Sequence, residues 1–575
     1  MSESSSHGSY IPLGSIGSGC IGFDAQGNFY NDILHPLGQG PLMPNSFPVI
    51  RAHFGKNEQY VRVLRSADGN MPPENAHAPE FLKKTEYKQQ VLYPILSCQL
   101  KDDKAPVRVA WTYFSPLAPY DHVASVMPCI LLGVRVANPT NRPVACSVMF
   151  CMDNLTTEPA EDESLRPAQI HFIRVEPTVN DNRSHLGTSL FRGAITEASP
   201  EVLKSYVCNA ILFGDRRNTG ATALPHLSLG AKEQLDTALS QGIWDPESPS
   251  SAEFFWKTFK EQGHAAAPQP GTVTRAGAVC SATQIAPGGA CRFDFLFAWH
   301  VPPKICEEKG VANGYMQHFA NAPESLRYGL RHLNYLHAAV SNWQKQLTGS
   351  GLPEAFTNAL IDSSRSFVTH ARHLPKNGFA LATRNYDEPS PQEHWDFLKA
   401  FALLAFMPRF HAAAVATALA TAQEQSRNAS KLRDAGFLRH CAEIILSAYA
   451  DVLYTGNRTR FREWYPRISD MLDSDIRNIL EKGTAQKSAA PLDAATTGLW
   501  AVAMAVVGIM AREQGDDSAE QKREPLRRAL TEAYGSRLLD LTQKSDSITD
   551  RHVLAVAGAC YAELLNLNGL GAGSY

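Results

Sequence analysis

The hydrophobic period of this sequence changes near residue 324. Before it, short apolar runs are broken by Gly, Pro, Asn and Asp, as in VRVAWTYFSPL (107–117), PCILLGVRVANPT (128–140) and PVACSVMFCMDN (143–154). Such runs side by side predict antiparallel sheets, and together a β-sandwich. After it, ESLRYGLRHLNYLHAAVSNWQKQL reads as an amphipathic helix, and long helical segments then alternate with turns at HLPKNG, MPRFH, YTGNR, EKGT and EQGDD. That alternation predicts a helical bundle or an α/α toroid, with inner faces from 360–367, 397–406, 444–453 and 502–510. The expected fold class is multidomain β plus α. The expected division is a disordered tail over 1–10, a β-sandwich over 11–323, a linker helix over 324–350 and a helical toroid over 351–575.

At 575 residues the chain exceeds what one core fills, which agrees with two large domains. Its net charge of −3 lacks the basic excess that phosphate-backbone binding requires, so nucleic acid is excluded as a partner. The opening MSESSSHGSY has neither a basic nor an apolar signal region, which predicts a cytoplasmic protein. The 11 cysteines include no CxxC and no zinc spacing, and predict reduced, mostly buried thiols. DMLDSD (470–475) lacks the glycine of a calcium loop, so neither metal nor cofactor is expected. The apolar run 494–511 sits between amphipathic helices and reads as a buried barrel helix rather than a membrane span.

Chemistry concentrates in 378–408, GFALATRNYDEPSPQEHWDFLKAFALLAFMP, a polar loop that feeds an apolar helix. It places Arg384, Asp387, Glu388, Glu393 and His394 close together, enough titratable groups for acid/base work. Each taken singly is more often a solvated loop residue. The opening LGSIGSGCIG suggests a phosphate loop, but a strand rather than a helix is expected after it, which weakens that reading. The stretches 152–168 and 241–275 are expected to be long surface loops.

Several strings, in the correct order, carry a resemblance. They are LGSIGSGCIG, FSPLAPYDHVASVMPCILLGVRVANPTNRP and VACSVMF in the first half, and WDFLKAFALLAFMP, YADVLYTGNRTRFREWYP, TTGLWAVAMA and AGACYAELL in the second. The chain resembles glycoside hydrolase family 116, the non-lysosomal glucosylceramidase and bacterial β-glucosidase group. The resemblance implies a β-sandwich followed by an (α/α)6-like toroid; because this sequence stops at Tyr575, about where the family continues, the toroid is expected to be shortened at its C-terminal end. The resemblance also implies retaining hydrolysis by a glutamate nucleophile and an aspartate acid/base, with carboxyl groups about 5–5.5 Å apart. In register, the nucleophile position holds Thr383 and the acid/base position Ala490, while a polar pair near the family site becomes Leu554 and Ala555.

The expectation is therefore a degenerate glycosidase relative, kept as a sugar-binding or assembly scaffold. Its ligand would be a carbohydrate or glycoside, and a homo-oligomer or partner protein would cover the open helical domain. The alternative is an active β-glycosidase with relocated carboxylates, Asp387 or Glu388 as nucleophile and Asp493 or Glu481 as acid/base. Arg384, His394 and Trp395 are the candidate substrate-binding residues. Against the alternative, Asp493 precedes an apolar run and is well placed as an N-cap, and Asp387-Glu388-Pro389 is ordinary turn composition. A lyase using His394, Arg384, His552 and Arg551 is a third, weaker reading. Trp395, Trp464, Trp500 and Phe397 are either a stacking platform for a sugar or core.

Overall fold

The computed structural model describes residues 10–33, 40–55, 58–66, 78–159, 165–167, 170–175, 208–213, 226–232, 236–301, 314–351, 354–369, 371–374, 378–381, 403–404, 406–426, 435–484, 492–543, 565 and 567. Two compact units divide the chain, Met1–His373 and Leu374–Tyr575. The first is built on sheets and the second on helices, the order expected from the change of period.

Two large sheets form the first unit. The eight-stranded sheet runs in the order Ile170–Val175, Cys208–Phe213, His226–Lys232, Ala290–His300, Cys129–Ala137, Arg108–Phe114, Ile95–Leu100, Tyr87–Leu92. The six-stranded sheet runs Ala238–Trp244, Ala276–Ile285, Val144–Asp153, Phe47–His53, Gln59–Ser66, Glu80–Leu82. Every pairing is antiparallel except the last of the six-stranded sheet. The runs read as strands from sequence, 107–117, 128–140 and 143–154, lie at the centres of these sheets. Their inward aromatics meet between the layers, Phe150 edge-on to Phe295 at 6.1 Å, which makes the pair of sheets a sandwich.

A small four-stranded sheet opens the unit, Ile11–Gly14, Cys20–Phe23, Phe29–Asp32 and Leu42–Met43. The Gly-rich turn therefore joins two antiparallel strands and leads into no helix, so it has no helix N-terminus with which to hold phosphate. Its Gly19 adopts φ 81° and lies against the Ile33 backbone where no side chain fits.

The expectation of a surface loop over 241–275 is corrected. Pro249–Gln262 is a helix, capped by the Ser248 side chain, started by proline and ended by Gly263 at φ 76°. It buries Phe255, Trp256 and Phe259 against Trp244, Phe47 and Met149 of the six-stranded sheet. Phe255 stacks on Trp244 at 4.2 Å. Arg51, 5% exposed, donates from Nε to the Lys260 carbonyl at 2.8 Å and from Nη2 to the Glu261 carbonyl at 3.1 Å, satisfying carbonyls that the helix end leaves open. The 152–168 loop is corrected as well: Met152 and Asp153 end a strand, and Thr157–Pro159 pairs with Leu165–Pro167.

The segment expected as a linker helix is two helices, Ala322–Arg331 and Leu333–Thr348. The first is capped by Asn321, which accepts from the Glu324 amide at 2.9 Å. It packs on the Ala290–His300 strand so closely that a side chain at Gly329 would collide with Leu296. The second is fastened by Gln344, whose Nε2 donates to the carbonyls of Leu92 at 2.6 Å and Tyr93 at 3.1 Å.

The helices described in the second unit include Pro408–Gln425, Ala435–Thr455, Arg458–Met471, Arg477–Thr484, Ala494–Gln514 and Asp517–Gln543. A π-helical turn, Leu472–Ile476, follows the helix that contains Pro466. Ala494–Gln514 has the length and composition of a membrane span. It is nevertheless largely buried, between Ala435–Thr455 and Asp517–Gln543, and forms the core helix of this unit.

Candidate functional site

The sequence places candidate chemistry in two loops of the second unit. Thr383, Arg384, Asp387, Glu388, Glu393, His394, Trp395 and Ala490 lie outside the described residues, as do Phe397, Arg551, His552, Leu554 and Ala555. Described residues flank both stretches.

The first loop is entered from the strand Gly378–Leu381, which rests on the Pro408–Gln425 helix. Phe379 stacks on Phe410 with centroids 4.7 Å apart and planes 17° apart, and its amide donates to Thr417 Oγ1 at 3.4 Å. On the far side, Leu403, Leu404 and Phe406 are buried, as the apolar half of the stretch requires.

The ends of the second loop are drawn together. The Leu492 amide donates to the Gly483 carbonyl at 3.4 Å, and the Leu492 side chain covers Gly483 so tightly that no Cβ fits there. Arg537 Nη2 donates to the same carbonyl at 2.8 Å, and its Nη1 bonds Thr497 Oγ1.

Two candidate carboxylates are described. Asp493 is the N-cap of Ala494–Gln514, its Oδ1 accepting from the Thr496 amide at 2.7 Å. Its Oδ2 lies 3.2 Å from Arg439 Nη2, so each oxygen already has a partner. Glu481 is exposed on Arg477–Thr484 and accepts from Arg477 Nε at 2.7 Å, a four-residue helical pair. Trp464 and Trp500 are 2% and 0% exposed among apolar neighbours, positions of core rather than of an open platform.

One constellation has no counterpart in the sequence reading. His411, in the first turn of Pro408–Gln425, and Asp451, in the last turn of Ala435–Thr455, are both 0% exposed and meet at 2.9 Å between Nδ1 and Oδ2. Arg460, from Arg458–Met471, donates from Nη1 to Asp451 Oδ1 at 2.7 Å. Three helices thus converge on one carboxylate. A carboxylate can only accept, so Nδ1 carries the imidazole proton and Nε2 holds the lone pair. Nε2 is buried and has no hydrogen-bond partner among the described residues. Burial pushes the His411 pKa below its ordinary value, and Asp451 only partly opposes this. The available sequence signal was Asp451 itself, a lone charge in the apolar run IILSAYADVL, which demands a partner once buried.

Among the described residues no group of three or more His, Cys, Asp or Glu side chains is arranged to hold a metal ion. Eight free thiols are described, all buried except the half-buried Cys291.

A family model described as "beta-glucosidase 2, glycosyl-hydrolase family 116 N-term" matches residues 11–336. No curated protein sequence matches the chain. Solved structures that resemble it include a bacterial glucoamylase complexed with acarbose, at 8% identity and TM-score 0.40, covering 91% of this chain and 68% of that one. A GH92 family glycosyl hydrolase gives 10% identity and TM-score 0.30, with 91% and 61% covered. The GH92 alpha-mannosidase from Bacteroides thetaiotaomicron in complex with mannoimidazole gives 9% and 0.29, with 91% and 61% covered. The chain thus spans about two thirds of the length of these proteins, and likeness at this level adds no argument about activity.

Proposed function

The chain belongs to glycoside hydrolase family 116, and from that premise we propose that it is a glycosidase-derived carbohydrate-binding protein that no longer performs retaining hydrolysis. The reading rests on what stands at the two positions where the chemistry needs carboxylates. Attack on an anomeric carbon and protonation of the leaving oxygen require two carboxyl groups about 5–5.5 Å apart. By register with the family, a threonine, Thr383, and an alanine, Ala490, occupy those places. Threonine offers no carboxylate to form a glycosyl ester, and alanine has no proton to exchange.

The observation that carries the reading is the engagement of Asp493, the described carboxylate nearest in sequence to Ala490. It caps a helix with one oxygen and meets Arg439 with the other. Taking up acid/base work would release both contacts and open the N-terminus of the unit's core helix. Glu481 is held by Arg477 on an exposed helix face. A protein that keeps the family scaffold without these groups is suited to holding a glycoside, and a homo-oligomer or partner subunit is part of this proposal.

Isothermal titration of the full chain with D-glucose, D-xylose and an alkyl β-D-glucoside tests the binding half. Saturable binding of at least one ligand is expected. Absence of heat with all three contradicts it. Sedimentation velocity tests assembly, and a species of 63.0 kDa at every concentration would remove that part of the proposal.

A further inference from the structure

We propose that the His411–Asp451–Arg460 cluster is an acid-released latch that holds three helices of the second unit together at neutral pH. The inference is independent of any sugar chemistry. One carboxylate at the end of Ala435–Thr455 receives an imidazole N–H from Pro408–Gln425 and a guanidinium from Arg458–Met471. Further hydrogen bonds organise the junction. Thr455 Oγ1 donates to the Asp451 carbonyl at 2.6 Å, and the Asn457 side chain accepts from the Arg460 amide at 3.2 Å. Each helix thus depends on Asp451 or on the turn beside it.

The cluster is asymmetric in its response to protons. Asp451 and Arg460 form a compensated pair, with Asp451 0% and Arg460 24% exposed. His411 is neutral in that arrangement, and the proton it would gain goes to Nε2. Among the described residues a donor created there finds no acceptor, and Nε2 is buried away from water. Among the described residues, the charged groups facing the imidazole are Asp451 from one packed helix and Arg460 from the other. The strand Gly378–Leu381, packed on the same helix, has no ionisable side chain, and Arg409 beside His411 points to solvent. Asp451 favours the imidazolium, while burial and Arg460 oppose it, burial most strongly.

The folded imidazole titrates below its ordinary value of about 6.5, so an opened state binds a proton that the latched state refuses. Stability from the latch is whole above about pH 6.5 and is lost as the pH falls through the lower folded value. The consequence reaches the first candidate loop. Pro408–Gln425 also bears Phe410 and Thr417, on which Phe379 at the root of that loop rests.

Hydrogen exchange of the full chain, followed by mass spectrometry and corrected for intrinsic rates, tests this. Below pH 6.5 the opening of 408–425, 435–455 and 458–471 should rise by up to about tenfold per pH unit relative to the 249–262 helix. In His411→Asn, which keeps a donor near the place of Nδ1 but cannot be protonated, that extra rise should vanish. An equal rise in wild type and variant, or none in wild type, overturns the latch. If the variant does not fold, the NMR chemical shift of the 13C-labelled imidazole Cε1 of wild-type His411, followed against pH in the folded chain, decides. A titration midpoint below 6.5 is expected, and one at or above 6.5 overturns the proposal.

Discussion

Single side chains set what the described part of the second unit can do. Asp451 accepts from both His411 and Arg460, so Asp451→Ala leaves a fully buried imidazole N–H and a partly buried guanidinium without their acceptor. Removing one partner of such a buried cluster typically costs about 3–5 kcal/mol, and urea denaturation at pH 7.5 should show a loss of that order. Asp451→Asn, which retains one acceptor oxygen, should lose less. An Asp451→Ala variant as stable as wild type would mean that the cluster holds nothing. Legibility at this scale was uneven for a physical reason. Asp493 was readable as an N-cap because its partner, the Thr496 amide, is three residues away in the same helix. Asp451 was not readable as a hub because its partners come from two other helices, 40 residues before it and 9 after it.

Local signals compete at the scale of elements, and Pro249–Gln262 shows how. Ser248, Pro249 and Gly263 are the start and stop residues of a helix, but they sit among enough Pro, Gly, Ser and Ala to read as a loop. What decides is the apolar face of Phe255, Trp256 and Phe259, which the six-stranded sheet needs as cover. Phe255→Ala should therefore cost about 3–5 kcal/mol in urea denaturation, the range for emptying a buried aromatic site. A change within 0.5 kcal/mol would indicate that the helix is dispensable cover. The strands at 107–117, 128–140 and 143–154 were legible because short apolar runs with turn residues at their ends permit little else. The Gly-rich turn was legible too, since the strand that follows it forbids a helix-based phosphate site.

For the whole molecule, one change of hydrophobic period foretold a sandwich followed by helices, because each half must bury its own pattern. Family membership was legible from strings distributed along the chain, and the match over residues 11–336 bears it out for the N-terminal half. The chemistry was less legible, because it rests on the register of two loops rather than on a motif. At this scale stands the proposed loss of retaining hydrolysis. Its most direct test is turnover of aryl β-glucoside, β-galactoside, β-xyloside and arabinofuranoside substrates by the purified chain, beside Asp387→Ala/Glu388→Ala and Asp493→Ala variants. No release of the aryl group above background is expected from any substrate. Turnover by the unaltered protein that these substitutions abolish would contradict it and assign the chemistry to relocated carboxylates.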